Sequence, residues 1–124
     1  PSYKEVQEAG LWIKENSQKS DSVMSISYSE MTFYTERKVY AYGNKNVSEI
    51  KDIIKTNNPE FIAFSPVYET HMLNKDILAW VQEIAQDQNS LFMPVYAAYL
   101  DEAKTQAGFI VFKINYDSEE FKSL

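Results

Sequence analysis

Cysteine is absent from the sequence, so it can build neither a disulfide framework nor a thiolate zinc site. That absence leaves the compartment open, because an oxidising compartment permits disulfides without requiring them. Glycine is scarce, with three residues in 124, and no GxGxxG or P-loop pattern occurs. The usual glycine-rich cradle for phosphates is therefore excluded. Four prolines are too few for a loop-rich binding module. No apolar run approaches the roughly 18 residues of a membrane span, and no signal-peptide pattern opens the chain. Positive charge is also in deficit: 12 basic residues, scattered along the chain, stand against 18 acidic ones, for a net charge of −6. There is therefore no electrostatic footprint for nucleic acid or for an anionic membrane surface.

Aromatic side chains are what the sequence has in plenty, nine Tyr and seven Phe within a 44% hydrophobic composition. This is a globular composition, and the length suffices for one buried core. Residues 1–124 are expected to form a single α/β domain. Pro1 stands without an initiator Met, as expected of a domain cut from a longer protein.

Hydrophobic periodicity divides the chain into elements. Val6, Ala9, Gly10 and Ile13 mark one face of a helix from about Tyr3 to Asn16, opened by the capping-box pattern Ser2-Tyr-Lys-Glu5. Gly10 in mid-helix costs about 1 kcal/mol relative to Ala and is expected to permit close packing on the sheet. Ser22–Tyr28 reads as the first strand, with Val23 and Ile26 supplying β-branched residues. Ser29–Arg37 is ambiguous; Ser29 could cap a short helix carrying Met31, Phe33 and Tyr34. Lys38–Tyr42 reads as a second strand and Gly43-Asn44 as a turn.

Asn46 or Ser48 caps a helix over Val47–Thr56, which Asn57-Asn58-Pro59 stops. Phe61–Ser65 is short and apolar, as a buried strand is, and Pro66–Leu73 is a loop at its carboxyl end. Asn74 caps a strongly amphipathic helix reaching about Gln88. Leu91–Tyr99 contains Pro94, which lacks the ladder donor and so belongs at a sheet edge. Phe109–Asn115 is more continuously apolar and pairs antiparallel with it from further inside. The acidic tail from Asp117 is expected to fray. The alternation predicts a three-layer, Rossmann-like α/β sheet of about five strands in the order 2-1-3-5-4. Its last strand is antiparallel and helices lie on both faces.

In such a sheet, ligands sit beyond the carboxyl ends of the strands. A small polar ligand would there meet Ser27, Tyr28 and Glu30 after the first strand, and Tyr68, Glu69 and His71 after the third. The bland reading of the same residues is capping serines and surface acids. Glu30 and Glu69 would repel a phosphate, and neither the acid cluster of receiver domains nor the glycine loop of flavin sites is present. His71 has no evident nucleophile to serve and only Glu69 and Asp76 as companions for a metal, so a solvated loop histidine is the default. Neither a cofactor nor a metal is expected, and no catalytic residue stands out. Tyr28, Phe33, Tyr34, Tyr40 and Tyr42 form either an exposed stacking platform or core and core-rim packing. Asn46-Val47-Ser48 is an N-glycosylation sequon, relevant only outside the cytoplasm.

Three runs carry a resemblance. They are Lys4-Glu5-Val6 through Ala9-Gly10-Leu11-Trp12-Ile13-Lys14-Glu15-Asn16-Ser17, then Asp21-Ser22-Val23-Met24-Ser25, then Phe33-Tyr34-Thr35-Glu36-Arg37-Lys38. Together they resemble the C-terminal extracytoplasmic domain of prokaryotic, archaeal-type GT-C glycosyltransferases of the dolichyl-phosphate-mannose protein mannosyltransferase kind. There a W-I-K-x-N helix follows the last membrane span, a D-x-V strand and an aromatic Y-x-x-R stretch come next, and an apolar strand with Lys, as in Phe109–Ile114, closes the domain. The resemblance implies a soluble, non-catalytic accessory domain at the extracytoplasmic membrane face. Its partners would be the membrane-embedded part of its own parent chain and a glycan or protein acceptor. Catalysis in that family uses acidic residues of the membrane portion, so no catalytic residue carries over. The alternative is a free-standing ligand-binding or regulatory domain with its site at the strand ends.

Overall fold

The computed structural model describes residues 4–67, 75–85 and 90–124. Five strands, β1 (Ser22–Ser25), β2 (Lys38–Ala41), β3 (Phe61–Phe64), β4 (Phe92–Tyr99) and β5 (Ala107–Ile114), form one sheet in the order β2-β1-β3-β5-β4. β1 pairs parallel with β2 and β3, and β5 runs antiparallel to both of its neighbours. The α/β class, the strand order and the direction of the last strand are those the sequence predicts. Helices α1 (Lys4–Glu15) and α2 (Tyr28–Thr35) cover one face, with Val6, Ala9, Ile13 and Met31 packed on Val23, Phe61 and Val111. Helices α3 (Val47–Asn57) and α4 (Lys75–Ile84) cover the other, where Ile50, Ile54, Ile77 and Val81 meet Met24, Ile62 and Phe112. Among the described residues, no helix is long and apolar enough to cross a membrane.

Local chemistry explains the boundaries. Asn46, not Ser48, caps α3, in a full capping box with Glu49: its side chain accepts from the Glu49 N–H at 2.9 Å, and Glu49 accepts from the Asn46 N–H at 3.0 Å. Asn58 ends the helix in the left-handed conformation, φ 47°, and donates its N–H to Ile54 O. Pro94 lies in the edge strand as expected, and the β4–β5 register shifts between Pro94 and Tyr96. Ser2 and Asn74, the remaining predicted caps, lie outside the described residues.

Several expectations are corrected. The first strand ends at Ser25 rather than Tyr28. Ser25 Oγ accepts the Ser27 N–H at 3.2 Å, the chain turns, and Tyr28 opens α2. The cap position of that helix is Ser27, not Ser29, and its side chain makes no capping hydrogen bond. Pro66 and Val67, expected in a loop, are already helical. Gly10 serves not the sheet but the neighbouring helix: a Cβ placed there would lie 2.5 Å from Tyr34 Cβ. The acidic tail does not fray. Ser118 accepts from the Phe121 N–H at 3.1 Å and caps a short helix, α5 (Glu119–Lys122). Tyr116, Phe121 and Leu124 pack against the α3–α4 core, and the Tyr116 hydroxyl donates to Pro59 O.

Candidate functional site

The carboxyl ends of β1 and β3 flank the point where the strand order reverses, the usual crevice for a ligand in an open α/β sheet. Here much of the crevice is used by the fold. Tyr42, just past β2, is fully buried; its N–H donates to Ser25 O at 3.2 Å and its hydroxyl to Ala63 O at 3.2 Å. The phenol thus reaches across the end of β1 to β3. Ser65, also fully buried, donates its hydroxyl to Gly108 O at 2.7 Å and ties β3 to β5. Burial of such hydroxyls without a partner would cost about 1–3 kcal/mol each, so these bonds are structural requirements.

Of the predicted site residues, Ser27, Tyr28 and Glu30 come together on the first turn of α2. Ser27 and Glu30 are half-buried and Tyr28 is exposed. Glu30 suits the positive end of the helix dipole. Tyr68, Glu69 and His71 lie outside the described residues. Among the described residues, no group of three acidic or histidine side chains is placed to hold a metal.

Residues of the first and third quoted runs have a different use, as contacts between α1, α2 and the sheet. Trp12 stacks on Tyr96 with ring centroids 5.3 Å apart and meets Phe61 edge-on at 5.7 Å, which fixes α1 to the sheet. Gly10 lets α2 approach to the Tyr34 backbone. Lys14 pairs with Glu36. Arg37 caps the end of α1: Nη2 donates to Lys14 O and Ser17 O, each at 3.2 Å, and Nε to Ser17 Oγ at 3.0 Å. The Trp-containing helix and the Tyr-x-x-Arg stretch therefore build one rigid joint. The sequence reading assigned Arg37 no role. Its signal was available, since a guanidinium with five donors suits a helix end with unpaired carbonyls.

The five aromatics of the platform-or-core question divide. Tyr42 is core on the α3–α4 side with half-buried Tyr40 packed against that cluster, and half-buried Tyr34 packs on the α1–α2 side. Phe33 is 74% exposed and Tyr28 53% exposed, both on α2. Phe33 rests edge-on against Tyr34, centroids 5.1 Å apart, so its ring is held at the surface by a residue wedged on α1. Single exposed apolar residues are common on proteins. A phenylalanine three-quarters exposed on a helix locked to its neighbour is less so. No family model matches the chain, and no curated protein matches it.

Proposed function

We propose that the chain is a non-catalytic accessory domain of a membrane glycosyltransferase that uses a lipid-phosphate-linked sugar, docking through the outer face of α2 on the membrane-embedded part of its parent. The observation that carries this reading is Phe33, 74% exposed on a helix clamped to α1 by Gly10 and Arg37. The resemblance would set α1 directly after a membrane span, which would bring the joint with α2 close to the bilayer interface, where aromatic side chains are favoured. The extracytoplasmic setting agrees with the Asn46 sequon, whose Asn is exposed at the α3 N-cap. The half-exposed Glu30 and the internal bonds of Tyr42 and Ser65 weigh against a closed polar site at the described strand ends.

The test uses the protein encoded by the complete native reading frame. Phe33→Asp should lower glycosyl transfer several-fold while the isolated chain keeps its melting temperature. The isolated chain should not turn over a polyprenyl-phosphate-linked sugar. Turnover by the isolated chain, or a native frame without membrane spans, would sink the proposal.

A further inference from the structure

β4 runs parallel to β1 and β3, so its end at Tyr99 lies at the same carboxyl edge of the sheet as the crevice described above. An open cleft of about 350 Å³ is found there, between the start of α1, the edge of β4 and the β4–β5 turn. α1 contributes Lys4 and Glu8, β4 contributes Tyr96 and Tyr99, and the turn contributes Glu102 and Lys104. The volume is in the range of small-molecule sites.

The walls are held before any ligand arrives. The Tyr96 ring is fixed by its stack on Trp12, itself braced by Phe61. The turn is pinned by Asp101, whose carboxylate accepts the N–H groups of Thr105 at 3.0 Å and Gln106 at 3.2 Å and the Thr105 hydroxyl. Lys104 holds the left-handed conformation that closes the turn, φ 58°.

The chemistry of the lining selects a ligand class. Among the described residues, neither the Tyr96 nor the Tyr99 hydroxyl has a hydrogen-bond partner. Two ammonium groups are interleaved with the carboxylates of Glu8 and Glu102, and Lys4 lies 3.8 Å from Glu8. A phosphate or sulfate would meet both carboxylates. A bare metal ion lacks the ligand set, since no metal-competent cluster occurs among the described residues. A neutral polyol suits all of these groups together. Its hydroxyls can donate to carboxylates and accept from ammonium and phenol donors, and its C–H face can lie on a tyrosine ring.

We infer that this cleft binds a neutral saccharide. The site shares no residue with the exposed α2 face, so it stands or falls independently of membrane docking. The test titrates the isolated chain with methyl α-glucopyranoside, maltose and cellobiose, following backbone amides and the Trp12 indole N–H by NMR, with inorganic phosphate as the control. At least one saccharide should shift residues 96–104 with a Kd of about 1 mM, and phosphate should not. Tyr99→Phe, which removes only a hydroxyl, should weaken binding about fivefold, and Glu102→Ala on the exposed turn should do likewise. The inference is overturned if all three sugars leave the cleft unshifted at about ten times that concentration, if phosphate binds there as well as they do, or if both variants bind unchanged.

Discussion

On the α3–α4 side of the sheet, large side chains do the filling: Phe92 meets Trp80 edge-on at 5.2 Å and Phe112 at 6.1 Å, while α3 and α4 themselves barely touch. On the α1–α2 side the two helices touch closely at Gly10 and are fastened by Arg37. The first face is a core of volume; the second is a joint between backbones with a polar fastener. Removing atoms should hurt the first face, whereas adding atoms should hurt the second.

Phe92→Ala should have the largest effect. The side chain is fully buried between two aromatic neighbours, and its loss should cost about 3–5 kcal/mol in urea unfolding. Gly10→Ala comes next and inverts the usual expectation. Alanine in a helix interior ordinarily gains about 1 kcal/mol over glycine. Here its Cβ would lie 2.5 Å from Tyr34 Cβ, a rigid atom on a neighbouring helix. Net destabilisation of about 1–3 kcal/mol is expected; a stabilised variant would show that the joint is loose and that the two faces do not differ in kind.

The volume-filled face was largely legible in the sequence. The periodic isoleucines of α3 and the apolar run of β3 state their burial through spacing, and the proline of β4 marks that strand as an edge. The joint was not legible, because it depends on distance between helices rather than on pattern along one. Gly10 signals close approach but not to what. Tyr28 looked like a strand residue because Ser-Ile-Ser continues an alternation that the Ser25–Ser27 hydrogen bond breaks. The tail was hidden by its acidic composition, although Ser118 followed by Glu119 and Glu120 is a helix-start signal in its own right. Of the strand-end site, only the juxtaposition of Ser27, Tyr28 and Glu30 could be read, and the β4-edge cleft was missed because it joins Lys4 and Glu8 of α1 to the distant segment 96–104.

Arg37→Met should cost about 1–2 kcal/mol, by stripping donors from carbonyls and a hydroxyl at the end of α1 while keeping much of the side-chain stem. Its effect should fall mainly on amide exchange of residues 12–17, with little change near α4. Tyr116→Phe should cost about 1 kcal/mol through the lost bond to Pro59 O. Burial first, and then the charge of Glu60, raises the Tyr116 phenol above its ordinary range. The raised value means that its contribution is complete below about pH 10 and is lost as pH rises. The variant should therefore flatten the alkaline limb of the stability profile on the α3–α4 side.

The smallest effect belongs to the exposed part of the joint. Glu36 is held below its ordinary carboxylate value, first by the hydrogen bond from Lys14 and then by the Lys14 charge. A lowered folded value contributes stability that is present above the ordinary glutamate range and lost as pH falls through the folded value. Lys14→Met should raise Glu36 toward its ordinary value, with the Arg37 and Lys19 charges still lowering it, read from its side-chain carbon shifts, and should slightly flatten the acid limb of the stability profile. Both partners are largely in solvent, so added salt should weaken the pair and narrow the difference between variant and parent. Arg37, bonded to carbonyls and a hydroxyl rather than to a carboxylate, should keep its contribution in the same salt. If salt instead loosens the α1–α2 joint as a whole, the fastener is the Lys14–Glu36 ion pair and the role given to Arg37 is wrong.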